Sequence, residues 1–129
     1  MAVVNGIEHF TIAARNTEAL CGFYVQTLGF TVAYKNAKTP ATFFVKLADG
    51  SMLEILPADD KPATRRQNTD PGLVHVALAV ASVDKAMAEL GQAGIRFEGD
   101  VKVSGDVKAA FFRDPEGNIL HLIERPRPL

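Results

Sequence analysis

Only three histidines occur in this 129-residue chain, His9, His75 and His121, and their spacing carries a pattern. His9 and His75 are 66 residues apart, and 67 residues separate Glu54 from His121. One near-constant offset therefore relates the four side chains as two pairs. Imidazole nitrogen and carboxylate oxygen together suit borderline divalent ions. Three nitrogens and one oxygen leave positions on such an ion open for water or substrate. The ordinary alternative is that a strand histidine is a hydrogen-bonded core residue. Glu54, however, also lies in an apolar strand, where an unpartnered carboxylate costs several kcal/mol unless it is neutralised. Four such placements under one repeat operation favour a divalent-metal site.

The segments that must position these residues are also written twice. Gly6-Ile7-Glu8-His9 matches Gly72-Leu73-Val74-His75, and Asp49-Gly50-Ser51-Met52-Leu53-Glu54 matches Glu116-Gly117-Asn118-Ile119-Leu120-His121. Each half reads as a strand, a helix and three strands. The first half gives a strand over 7–13 and a helix over 17–28 with Leu20, Phe23, Tyr24 and Leu28 on one stripe. Strands over 31–35, 42–47 and 52–56 follow, the last two turned by Asp49-Gly50. The second half gives a strand over 73–80, then a helix capped by Ser82 with Val83, Ala86, Met87 and Leu90 on one face. Its remaining strands are expected over 95–98, 108–113 and 118–123. Strand alternation sends Phe10 and Ile12 to the helix-covered face, so His9, Thr11 and Ala13 face the other way. By the same rule His75, Ala77 and Ala79 oppose Val74, Val76 and Leu78. Joined as one curved sheet, the halves would bring all four candidate ligands into its concavity.

Composition bounds the function classes. The chain has 14 basic and 15 acidic residues, is 47% hydrophobic and 22% charged, and contains one cysteine, Cys21. Near-neutrality argues against nucleic acid and an electrostatically held membrane surface. No apolar run approaches the ~20 residues of a membrane span, and no signal-peptide pattern opens the chain. A lone thiol fits a reducing compartment, so a cytoplasmic protein is expected. Cys21 reads as packed rather than nucleophilic, with no histidine near it in sequence. Arg65-Arg66 sits in a polar connecting segment, and Arg113 adjoins a hairpin turn, where it could bind a substrate carboxylate.

On these motifs the chain resembles the vicinal oxygen chelate superfamily of glyoxalase I, methylmalonyl-CoA epimerase, extradiol dioxygenases, and fosfomycin and bleomycin resistance proteins. The most specific pieces are Phe23-Tyr24 to Leu28-Gly29-Phe30 and Phe111-Phe112-Arg113-Asp114-Pro115-Glu116-Gly117-Asn118. The resemblance implies an α+β fold: paired βαβββ modules forming a curved, mainly antiparallel sheet cup with helices outside. It implies a single domain over 1–129, with modules at about 5–57 and 72–125 joined by a polar loop over 58–71. His9, Glu54 and His75 match ligand positions of a His/Glu/His/Glu glyoxalase I. The fourth position, glutamate in that pattern and implicated there in moving the substrate proton, is His121 here. Dioxygenases and fosfomycin enzymes also carry glutamate at that place. Ala13 and Ala58 stand where glyoxalase I tends to place an arginine and an asparagine that contact glutathione, so recognition of glutathione by those contacts is not expected.

Together the residues and the resemblance predict one divalent ion per chain (Zn, Ni, Co, Mn or Fe(II)) bound by His9, Glu54, His75 and His121. The expected activity is that of a glyoxalase-like lyase or isomerase acting on a small carbonyl or enolisable substrate chelated through vicinal oxygens. Glu54 is the expected catalytic base, Tyr34 and Lys46 being weaker candidates because their strand directions are unsettled, and Arg113 is a candidate substrate contact. The alternatives are an Fe(II)-dependent dioxygenase of the same superfamily, or a non-catalytic metal or small-molecule binder of the resistance type. A small-molecule substrate and a homodimer are expected, with neither nucleic acid nor membrane as partner.

Overall fold

A computed structural model describes residues 2–63 and 65–129. The chain divides into two compact units, Met1–Pro62 and Ala63–Leu129. The first contains β1 (His9–Ala14), α1 (Thr17–Gln26), β2 (Thr31–Lys35), β3 (Phe43–Lys46) and β4 (Met52–Pro57). The second contains β5 (His75–Ala79), α2 (Val83–Gln92), β6 (Glu98–Ser104), β7 (Val107–Arg113) and β8 (Ile119–Glu124). Each unit is a βαβββ module, as expected.

Each module forms one four-stranded sheet, in the orders β1-β4-β3-β2 and β5-β8-β7-β6. First and last strands pair in parallel, β1 with β4 and β5 with β8, and the other pairings are antiparallel. The intervening helix makes that parallel pairing possible, because parallel neighbours need a long crossover. Both helices start on side-chain caps: Asn16 Oδ1 accepts from the Ala19 N–H, and Ser82 Oγ from that of Lys85. Each helix covers one face of its own sheet. Leu20 and Tyr24 of α1 are fully buried, as are Val45 and Ile55 of the sheet beneath, with Leu53 nearly so. Phe112, Leu120 and Val83 form the corresponding centre of the second module. Truncating a fully buried leucine such as Leu20 to alanine should cost about 2–5 kcal/mol.

The last hairpins of the two modules are built alike. Leu47 N–H donates to Ser51 O and Gly50 N–H to Leu47 O; Asp114 N–H donates to Asn118 O and Gly117 N–H to Asp114 O. Gly50 and Gly117 hold φ of 90° and 89°, a region open to glycine and strained for other residues. These turns produce the 67-residue offset seen in the sequence.

One expected strand is displaced. Of the stretch 95–98 only Glu98 joins β6, which runs Glu98–Ser104. Ile95 N–H instead closes the end of α2 on Leu90 O, and Phe97 packs on Phe112 with ring centroids 5.4 Å apart. The alternating apolar residues there serve the helix end and the core, and an irregular register between Glu98 and Lys102 carries the chain onto β7. The first helix also stops earlier than the expected Leu28, at Gln26, with Phe30 N–H returned to Tyr24 O. No helix among the described residues is long and apolar enough to cross a membrane.

Candidate functional site

Register decides which side chains share the face of each sheet that its helix leaves uncovered. In the first module Thr11 lies opposite Glu54, His9 opposite Met52, and Phe44 opposite Glu54. Residues directly opposite one another point to the same side. His9, Thr11, Phe44 and Glu54 therefore share the open face, while Val45, Leu53 and Ile55 face the core. In the second module Ala77 and Phe111 lie opposite His121, and His75 and Arg113 opposite Ile119. His75, His121, Phe111 and Arg113 share the open face there. The directions expected from strand alternation hold for His9 and His75, and register adds Glu54 and His121 to the same faces.

The first pair is a histidine and a tethered carboxylate. His9 Nε2 is 3.7 Å from Glu54 Oε1, beyond hydrogen-bonding range. Thr11 Oγ1 donates to that same Oε1 at 2.9 Å, fixing one carboxylate oxygen. His9 Nδ1 lies 2.6 Å from Glu8 Oε1. A carboxylate oxygen only accepts, so the neutral ring carries its proton on Nδ1 and turns the Nε2 lone pair toward Glu54. Phe44 meets the His9 ring edge-on, with centroids 5.2 Å apart. The side chains of His9 and Glu54 keep 32% and 21% of their exposure, so the pair is open to solvent.

The second pair is two imidazoles. The His75 and His121 rings lie 4.3 Å apart, centroid to centroid, and Phe111 contacts both, at 5.6 and 4.7 Å. His75 Nδ1 is 3.0 Å from Asn68 Oδ1, again an acceptor, which leaves Nε2 with the lone pair. His121 is buried, at 9% exposure, and its Nδ1 has no hydrogen-bond partner among the described residues. Burial, with a smaller contribution from the positive charge His75 can carry, lowers its pKa to about 4. At neutral pH His121 is an uncharged nitrogen donor.

These features fit a divalent ion's requirements half by half. Adjacent ligands on a tetrahedral zinc with bonds of about 2.05 Å stand about 3.3 Å apart, close to the His9–Glu54 separation. His121, buried, neutral and with a ring nitrogen unpaired among the described residues, can offer such an ion an uncharged donor. Each module brings together two of the four candidates, and among the described residues no group of three or more His, Cys, Asp or Glu side chains is gathered to hold an ion.

Arg113 is heavily engaged. Its Nε donates to Glu98 at 3.0 Å, Nη1 to Gly117 O at 2.9 Å and Nη2 to Arg66 O at 3.1 Å, and the side chain is only 12% exposed. Arg65 approaches the same Glu98 at 3.5 Å, and Arg66 Nη2 donates to Pro71 O. Tyr34 and Lys46 both fall on the open face of the first sheet, opposite Phe44 and Met52. Cys21 is buried, and burial together with Glu18 pushes its thiol pKa up against a smaller pull from Lys35, which suits packing rather than nucleophilic attack.

Two participants escaped the sequence reading. Glu8 lies inside the strand expected over 7–13, where alternation would turn it away from His9, but β1 begins only at His9 and the Glu8 carboxylate reaches the ring. Asn68 lies in the aperiodic connecting segment and offered no signal at all.

The family model described as the Glyoxalase/Bleomycin resistance protein/Dioxygenase superfamily matches residues 6–122. The chain is 30% identical over 128 residues to the uncharacterized protein YwkD of Bacillus subtilis (strain 168), covering 95% of this chain and 99% of YwkD. The crystal structure of a glyoxalase family protein from Enterococcus faecalis superposes with a TM-score of 0.78 at 34% identity, over 92% of this chain and 97% of that one. TnmS3, an antibiotic binding protein from Streptomyces sp. CB03234, shares the fold at a TM-score of 0.75 and 21% identity, over 96% and 98% of the two chains.

Proposed function

The chain belongs to the glyoxalase/bleomycin resistance/dioxygenase superfamily, and from that premise we propose that it is a metal-dependent lyase or isomerase of small enolisable carbonyl compounds. Its ligands are His9 and Glu54 from one module and His75 and His121 from the other, holding one divalent ion of the Zn, Ni, Co, Mn or Fe(II) group. The observation that carries this reading is the pairing of the four donors on open sheet faces, with both first-strand imidazoles turned Nε2-outward.

When bound, the ion supplies a Lewis acid that draws electron density from a substrate carbonyl and makes the neighbouring C–H more acidic. The chain's own residues do the rest. Glu54 takes the proton from the substrate carbon on Oε2 and returns it to the adjacent carbon or oxygen. Thr11, bonded to Oε1, holds the carboxylate in one orientation while Oε2 remains without a hydrogen bond from the described residues. His121, neutral at working pH, donates electrons without adding charge and does not compete with Glu54 for the proton. Phe44 and Phe111 line the two faces with apolar edges that limit water around the reacting group. Arg113, on the same face as His75, offers its remaining N–H groups to a substrate carboxylate.

The functional form proposed is a cytoplasmic homodimer, and sedimentation that detects only a 13.9 kDa species at micromolar concentration would refute the dimer. The test of function is a metal analysis joined to anaerobic turnover of 2-oxoaldehydes and α-hydroxycarbonyls. Proton transfer without oxygen uptake is expected. Oxygen consumption with phenolic substrates, or bound metal with no turnover of any of these, would overturn it in favour of a dioxygenase or a binder.

A further inference from the structure

The two first-strand histidines meet the same requirement by different means. His9 is held through Nδ1 by the carboxylate of its own chain neighbour, Glu8, at 2.6 Å. The repeat-equivalent position before His75 is Val74, which has no acceptor to offer. His75 is nonetheless held through Nδ1 at 3.0 Å, by the amide oxygen of Asn68, seven residues upstream. Both rings thus end with Nδ1 donating to a side-chain oxygen and Nε2 bearing the lone pair, although the oxygens come from unrelated places in the repeat. The same outcome reached twice, once by a residue with no counterpart in the other module, is what a requirement on the ring looks like.

Around Asn68 the connecting segment is itself tied down. Arg113 Nη2 binds Arg66 O, Arg66 Nη2 binds Pro71 O, and Gln67 N–H donates to Asp70 Oδ2 at 2.8 Å. Arg113 in turn is anchored on β6 through Glu98 and on the last turn through Gly117 O. The segment is therefore pinned on both sides of Asn68, which places its amide repeatedly at the same ring nitrogen. Without that acceptor the neutral His75 ring is free to move its proton to Nε2, and a protonated Nε2 cannot bind a metal.

We propose that Asn68 is a positioning residue that sets the His75 tautomer for metal ligation, standing in for the glutamate that the second module lacks. This rests on the metal-site reading above only for its consequence, since the tautomer itself exists without metal.

The experiment uses the full-length, metal-free protein with nitrogen-15-labelled histidine at about pH 8, where free imidazole is neutral. Ring nitrogen shifts should show His75 protonated on Nδ1 in the native chain. Asn68→Ala should turn that signal toward an Nε2–H or mixed pattern while leaving His9 unchanged. Asn68→Asp, which keeps an acceptor oxygen, should restore it. Zinc titration of the same samples should show Kd rising about 10–100-fold in Asn68→Ala and recovering in Asn68→Asp. An unchanged His75 pattern in Asn68→Ala overturns the proposal, as does a changed tautomer with unchanged zinc affinity. A native chain that takes up no zinc while its His75 tautomer still follows residue 68 would sink the metal reading and leave the control of the tautomer by Asn68 standing.

Discussion

The two modules use one backbone plan to present chemically opposite pairs. In both, the ligand on the last strand lies opposite the residue two places beyond the first-strand histidine: Glu54 faces Thr11, and His121 faces Ala77. In both, a phenylalanine sits opposite that ligand and meets the histidine ring edge-on, Phe44 in one and Phe111 in the other. The polar content then diverges. Thr11 gives Glu54 a hydrogen bond in a solvent-open setting, whereas Ala77 gives His121 nothing and the ring is buried. A duplicated frame thus sets a carboxylate able to take a proton beside one imidazole, and a buried, neutral imidazole beside the other.

Removing the proton-carrying half should have the largest effect. Glu54→Gln keeps the acceptor oxygen for Thr11 and the shape of the side chain but loses the basic site. Turnover should fall about 10²–10⁴-fold, the range for a lost acid–base group, while metal content stays near native. Metal content and rate measured on one preparation decide it: an unchanged rate at full occupancy removes Glu54 as the base. Metal and turnover lost together would point to a pure ligand, as oxygen-insertion chemistry would require.

Making the second half imitate the first is the next strongest test. His121→Glu places a carboxylate among Ala77, Phe111 and the buried strand core with no threonine to receive it. The metal-free variant should lose about 1–3 kcal/mol in denaturant unfolding, the cost of a buried polar group without a partner. Added divalent ion should return more of that loss than it adds to the native chain's stability, and activity on glyoxalase-type substrates should rise. A metal-free His121→Glu protein as stable as the native one would contradict the contrast between the modules.

The converse change, Thr11→Ala, makes the first half resemble the second. It removes one hydrogen bond to the carboxylate, worth roughly 0.5–1.5 kcal/mol, so turnover should fall between a few-fold and about tenfold at unchanged metal content. No change in rate would mean that the Thr11 hydroxyl does not orient Glu54.

The smallest effect is on stability against pH. The pKa of His121 is depressed to about 4 in the folded chain, against about 6.5 when unfolded. Between these values the unfolded chain binds the extra proton, so acidification from about pH 6.5 toward 4 should progressively destabilise the metal-free protein, with no further loss from this group below that window. Above about pH 7 its contribution is fully present and flat. Unfolding midpoints over that range should lose part of their slope in His121→Leu, and an identical slope would assign the acid sensitivity to other groups.

The features legible in the sequence are those fixed by period. Strand alternation placed His9 and His75 on open faces, the two offsets tied Glu54 and His121 to them, and the Ser82 cap and the hairpin glycines marked element ends. Features set by tertiary competition were not legible. Ile95 and Phe97 alternate like a strand, yet the core and the end of α2 claim them before β6 begins. Arg113 looked like a free cation beside a turn, but Glu98 and two backbone carbonyls occupy much of its donor set. Asn68 is invisible to any periodic reading, because its role depends on where an aperiodic segment is tied.

The paired hairpins also limit how this chain can change length. Gly50 stands four residues before Glu54, and Gly117 four before His121. A residue inserted within either short interval would rotate the ligand by one strand step and drive it into the core beneath the helix. Insertions between the modules ahead of the tied stretch that begins at Arg66 face no such parity rule. Relatives that keep the four ligands in place should therefore vary in length ahead of Arg66 while holding the distance from turn to ligand constant, so a gap in either four-residue stretch would mark a chain that has abandoned the site.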